Sequence, residues 1–130
     1  MSITLLDGGT SSTTGGSNQE FDKTSTPVNN GYEYADVAEA DFFARQKIIL
    51  VSRMPQLQVD GSYSKQKTSC RFVSPITLAD GSISYNVTRV ETELHPESTS
   101  AQLTEHREYA AQMALDSELD DLFVAGTFPA

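Results

Sequence analysis

Few residues of this chain can do chemistry, and their spacing argues against most of it. His95 stands just before Pro96, and neither it nor His106 has a nucleophile or an orienting carboxylate placed as a proton relay would need. Cys70 is the single cysteine. It can form no disulfide within the chain and belongs to no metal-ligand pattern, so it reads as a small hydrophobe on a buried strand face. Asp116, Glu118, Asp120 and Asp121 lack the ligand spacing and glycine of a calcium loop, and are better explained as helix-start charges favoured by the dipole. Gly8-Gly9 and Gly15-Gly16 do not lead from a buried strand into a helix, which rules out a phosphate cradle. The expectation is a chain with no catalytic residues, no metal and no cofactor.

The pattern that does point to a function is cationic. The formal net charge is −9, with 9 Lys and Arg against 18 Asp and Glu. Yet Arg45, Lys47, Arg53, Lys65, Lys67 and Arg71 all fall within residues 45–73, where Asp60 is the only acid. All six cations have odd numbers. Side chains of a strand alternate between faces, so within each strand the cations share one face while Ile48, Leu50, Cys70 and Phe72 take the other. An acidic protein repels nucleic acid at long range, but salt screens charges beyond roughly 8 Å, and a segregated basic face can still meet phosphate.

Those cations need a hairpin of defined register. A two-residue Asp60-Gly61 loop would place odd residues opposite even ones and split the charge. A three-residue loop, Val59-Asp60-Gly61, with glycine at the positive-φ position, pairs 58 with 62 and leaves one apolar face, and is preferred for that reason. Ala79-Asp80-Gly81 repeats the chemistry, pairs 78 with 82 and 71 with 89, and adds Tyr85, Val87 and Arg89 to the basic face. Val90 and Leu94 then join Phe72 on the apolar one.

The rest of the chain frames this hairpin. Residues 2–6 form a strand candidate closed by Asp7-Gly8-Gly9, and the polar TSSTTGGSNQ stretch either returns as an edge strand or stays mobile. Residues 21–31 read as loop, 32–38 as strand, and Met54-Pro55 as the place where the first long strand bulges or meets an edge. Thr99-x-x-Gln102 is a capping-box pattern opening a helix near 100–115, with Leu103, His106, Ala110 and Met113 on one stripe. A second short helix opens at Ser117, with Leu119, Leu122 and Phe123 apolar and Gly126 as its cap. No run of 18 apolar residues could cross a membrane as a helix, and no secretion signal is evident. The fold expected is α+β in one domain, 1–130: an N-terminal hairpin and antiparallel meander over 1–96, then two helices over 97–130. Two helices are little cover for such a sheet, so a second copy of the chain is expected to complete the core.

Five stretches taken together carry a family resemblance: LLDGGT, the strands RQKIILVSR and KQKTSCRFVSP, the junction ETELHPESTSAQL, and the closing LDSELDDLFVAG. In their order and over nearly the whole length, the chain resembles the coat proteins of the single-stranded RNA bacteriophages, the leviviruses. The resemblance implies an intertwined homodimer whose sheets join into one layer. It also implies an icosahedral shell with the sheet facing single-stranded RNA, location in the virion, and assembly in the bacterial host cytoplasm. A genomic hairpin bound on the inner face would repress replicase translation. The RNA-facing residues are then Arg45, Lys47, Arg53, Lys65, Lys67, Ser69, Arg71, Tyr85 and Arg89, with Tyr85 where a family tyrosine stacks on a base. Ile48, Leu50, Phe72, Val90, Leu94, Leu103, Met113, Leu119, Leu122 and Phe123 would form the dimer interface and core. The alternative is a non-viral oligomeric β-sheet binding module of the same layout.

Overall fold

In the computed structural model, residues 2–7 and 17–128 are described. The Gly8-Gly9 turn and Gly15-Gly16 lie outside them. Six strands run in sequence order as one antiparallel sheet: β1 (Ser2–Asp7), β2 (Ser17–Lys23), β3 (Gly31–Ala35), β4 (Lys47–Arg53), β5 (Gln66–Thr77) and β6 (Ile83–Leu94). Residues 1–96 and 97–130 are two compact units.

Both three-residue loops form as expected, and they set the register of the sheet. Gln58 N–H donates to Ser62 O at 2.7 Å and Gly61 N–H to Gln58 O at 3.1 Å, with Gly61 at φ 86°. Leu78 N–H donates to Ser82 O at 2.8 Å, again with glycine, Gly81, at φ 86°. The Asp60 and Asp80 carboxylates each accept the N–H and hydroxyl of the serine two residues on, which locks the turn. Consequently Ile49 faces Arg71, Arg53 faces Lys67, and Arg71 faces Arg89, so the odd-numbered cations share one face.

The apolar face is centred on Phe21, Tyr34 and Ile48, with Leu50 and Phe72 packed against them. Phe21 lies edge-on to Phe72 at 6.4 Å between centroids, although β3 and β4 separate their strands in the sheet. The sheet must therefore coil strongly for side chains of β2 and β5 to meet over the strands between them. This corrects the reading of residues 21–31 as loop. β2 runs to Lys23, because Phe21 is the most buried large side chain and Lys23 rests on the Tyr32 ring at 3.9 Å.

Two other boundaries are set here. The strand expected over 32–38 spans Gly31–Ala35, ending where the Asp36 carboxylate accepts the Ala38 N–H. β4 stops at Arg53, since Pro55 has no N–H to give a ladder; beyond it the arms are joined by the Leu57–Tyr63 bridge and by bonds between Gln56 and Ser64. Between β3 and β4, residues 42–44 make a 3-10 turn capped by Asp41.

The C-terminal unit starts with α1 (Ser100–Leu115), whose capping box between Thr99 and Gln102 is complete in both directions. The second helix is a 3-10 turn, Ser117–Leu119, followed by a π turn, Asp121–Ala125, that ends at Gly126 in the left-handed conformation (φ 73°). No residue of these helical segments is buried.

Candidate nucleic-acid interface

From register alone, the odd-numbered face carries Lys47, Ile49, Val51 and Arg53 on β4, Lys67, Ser69, Arg71 and Val73 on β5, and Tyr85, Val87, Arg89, Glu91 and Glu93 on β6. Lys65 precedes β5 on the same parity and is exposed. Most of the expected cations are thus gathered on one surface.

The surface is less uniformly basic than the cations suggest. Glu33, on β3 opposite Ile49, belongs to the same face and is only 5 % exposed. Its carboxylate meets Lys47 Nζ at 3.7 Å and accepts the Thr24 hydroxyl at 2.7 Å. Lys67 pairs with Glu93 at 3.6 Å and Arg89 with Glu91 at 3.6 Å, both in solvent, where such pairs contribute little. Arg45 donates to Glu39 O at 2.8 Å. Among the described residues, Arg53, Lys65 and Arg71 have no carboxylate partner. Arg71 also lies directly across from Arg89, a like-charge pair that costs stability unless an anion bridges it.

Two features of the face escaped sequence reasoning. Glu33, Glu91 and Glu93 are acids on odd positions, visible only once the neighbouring strands are registered against β4 and β5. The second is an aromatic corner. Phe42 and Phe43 stack edge to face at 5.8 Å, Lys47 Nζ lies 4.8 Å and Arg45 Cζ 5.7 Å from the Phe42 ring, and the Tyr85 hydroxyl donates to Phe43 O at 3.1 Å. Tyr85 is thereby anchored at its tip while its ring remains exposed. At the other end of the face, Arg53, Lys65 and Lys67 line a groove of about 690 Å³ with Asn30, Gln56, Gln58 and Ser64.

The opposite, even-numbered face accounts for the other expected residues. Ile48 is buried and Leu50 and Phe72 are partly buried, whereas Val90 is 55 % exposed and Leu94 is half-buried. In the C-terminal unit Leu103 and Leu119 are half-buried, and Met113, Leu122 and Phe123 are exposed. Cys70 corrects the expectation of a core thiol. It sits on the apolar face between Leu50 and Val90 but is exposed, because nothing in its own unit covers that part of the sheet. Partial burial still pushes its thiol pKa up, which favours the protonated form. Among the described residues no group of three or more His, Cys, Asp or Glu is placed to hold a metal ion, and no helix is long and apolar enough to cross a membrane.

A six-stranded meander with a segregated basic face, an uncovered apolar face and C-terminal helices defines a sheet-based assembly subunit. No protein-family model and no curated protein matches the chain. Solved structures do. The virus-like particle of bacteriophage GQ-907 is similar over 92 % of this chain and 94 % of that one, with 32 % identity and a TM-score of 0.81. The virus-like particle of bacteriophage AVE019 shares the fold at 12 % identity over 100 % and 97 % of the two chains, TM-score 0.74. That of Wenzhou levi-like virus 4 does so at 20 % identity over 85 % and 86 %, TM-score 0.65. The chain belongs to the levivirus-type coat proteins. It is a structural subunit of a capsid shell, which decides between the viral reading and the non-viral module in favour of the shell.

Proposed function

We propose that the chain acts as a homodimer in its shell, and that the odd-numbered sheet face binds single-stranded RNA through Arg45, Lys47, Arg53, Lys65, Lys67, Ser69, Arg71, Tyr85 and Arg89. The observation that carries this is the Arg71–Arg89 pair. Two cations face each other across adjacent strands, Arg71 without an acid beside it, and a phosphate between them converts a repulsion into two attractions. The exposed Phe42, Phe43 and Tyr85 rings add stacking surface, worth about 1–3 kcal/mol per stacked base. Ile49 and Val51 occupy the middle of the face and offer no hydrogen bonds to base edges. The reading is therefore of binding to backbone and stacked bases first. Repression through a genomic hairpin is a finer proposal, supported only by Ser69 and Tyr85 on the same face. Dimerisation is supported by the apolar residues left exposed, Val90 on the sheet and Met113, Leu122 and Phe123 on the helical unit, together with the half-buried Leu94, Leu103 and Leu119. Assembly in the bacterial host cytoplasm is part of the same proposal.

The test is expression of the chain alone, followed by titration of disassembled protein with single-stranded RNA across ionic strengths. Particles should contain host RNA. Replacing Arg53 and Arg71 with Ala should lower the slope of log affinity against log salt by about 1.4, at roughly 0.7 per lost phosphate contact. An unchanged slope, or particles free of nucleic acid, would overturn the RNA reading.

A further inference from the structure

We propose that the projecting tip of the β4–β5 hairpin, residues 54–65, holds one unpaired nucleotide of an RNA strand in the groove at its root and reads the edge of its base. This rests on the RNA reading above and moves base selection off the sheet face.

The tip lies beyond both neighbouring strands. β3 begins opposite Val51 and β6 ends opposite Gln66, so residues 54–65 form a two-stranded finger with no strand on either side. Its ladder is the reverse of the sheet's. In the sheet, Asp36 N–H donates to Gln46 O at 3.0 Å and Ser52 N–H to Asn30 O at 3.0 Å, so even-numbered residues of β4 bond to β3 and odd-numbered ones to β5. In the finger the even-numbered pairs bond across the hairpin instead. Gln58 N–H donates to Ser62 O at 2.7 Å, Ser64 N–H to Gln56 O at 2.9 Å, and Gln56 N–H to the Ser64 hydroxyl at 2.9 Å. The residue pairing itself continues unbroken, Arg53 opposite Lys67 and Leu57 opposite Tyr63, so the backbone polarity switches across Met54-Pro55 without a change of register. Along a strand, the face a side chain takes and the direction of its N–H alternate together. A reversed ladder therefore carries the even-numbered side chains of the finger to the side that the odd-numbered cations hold in the sheet.

The groove is the result. Arg53, Lys65 and Lys67 meet the amides of Asn30, Gln56 and Gln58 around a space of about 690 Å³. Ligand pockets commonly span about 300–1,000 Å³. Its chemistry is double. Arg53 and Lys65 have no carboxylate partner among the described residues and suit a phosphate. Gln58 Nε2 donates to the Gln56 carbonyl at 3.2 Å, which steadies that amide and leaves its oxygen and second hydrogen for a ligand. An amide sets a donor beside an acceptor, the pattern that matches the edge of a base. A bare anion would use only the cations, whereas a nucleotide uses both sets. Base pairing would occupy the same edge, so the strand must be single there. Ile49 and Val51 give the sheet face no comparable groups.

The test titrates disassembled protein with short single-stranded homopolymers of A, C and U at one salt concentration. Affinities should spread by about tenfold, the worth of one base-edge contact. Gln56→Leu with Gln58→Leu should bring them within about twofold and leave the salt slope unchanged, since no phosphate contact is lost. Gln58 also braces the finger, so a second measurement uses the wild-type chain: a strand carrying 4-thiouridine should crosslink under near-ultraviolet light to residues 54–65. Equal affinities for the three strands, a spread that survives the double variant, or crosslinks confined to the sheet would overturn the base reading and leave the RNA reading standing. A nucleoside monophosphate bound as tightly as the strand would assign the groove to free nucleotides and overturn it too. A protein that binds none of the strands would end both readings together.

Discussion

Lys47 illustrates how a cation on the basic face can have a different first duty. Its ammonium sits 3.7 Å from the Glu33 carboxylate, with the two side chains 22 % and 7 % exposed. Lys47→Met removes the countercharge and leaves a buried carboxylate with only the Thr24 hydroxyl. Breaking a fully buried pair by deleting one partner costs about 3–5 kcal/mol; with Lys47 partly in water, about 2–3 kcal/mol is expected here. For a chain of this length that is a fall of about 10 °C in Tm. Glu33→Gln keeps an acceptor for Thr24 and should cost about 1 kcal/mol, because an ammonium with access to water tolerates the loss. The double variant should be less destabilised than the sum of the singles by about 1–2 kcal/mol. Urea unfolding followed by tyrosine fluorescence, at fixed subunit concentration, measures all four corners of the cycle. Additive losses, or a Lys47→Met variant as stable as the parent, would refute the assignment of Lys47 to structure.

Glycine positions should separate by cause. A Cβ on Gly31 would fall 1.8 Å from the Leu50 carbonyl oxygen, so Gly31→Ala should cost at least about 3 kcal/mol or prevent folding. Gly61→Ala and Gly81→Ala meet no atom within 4 Å and should each cost only about 1 kcal/mol, the penalty of a positive φ; a comparison of urea midpoints decides. The serine bonds hold the Asp60 and Asp80 carboxyls below their ordinary pKa. A depressed folded pKa stabilises above the ordinary carboxylate value and loses that contribution as pH falls through the folded one. Asp60→Asn with Asp80→Asn should therefore flatten the fall in Tm below about pH 4 while changing little at neutral pH. An unaltered acid limb would show that these turns carry no such linkage.

The hairpin registers and the first helix were legible because each rests on local chemistry. Asp-Gly-Ser at both tips specifies a loop length, and Thr99 with Gln102 specifies a helix start. Parity then places every cation of β4 and β5. What could not be read depended on partners distant in sequence. Phe21 sits among polar residues, and only the coil of the sheet, which brings it to Phe72, makes it a core residue. Glu33 and Glu93 dilute the basic face through strands that flank the charged segment, and Phe42 and Phe43 join it by way of a 3-10 turn. Cys70 was placed on the correct side of the sheet, but parity alone does not tell which part of the apolar face is buried within one chain, and Cys70 lies on a part that is exposed.

The two Asp-Gly-Ser tips also bear on how such a gene can drift. Losing a single codon from either one would leave a loop two residues long, and the returning strand could keep its pairing only by turning over. Lysines would enter the oily side and phenylalanines would emerge on the charged one. Substitutions at these bends are cheap by comparison, because Val59 touches almost nothing. Relatives should therefore vary most at the first position of each bend, Val59 and Ala79 here, while resisting a length change of one.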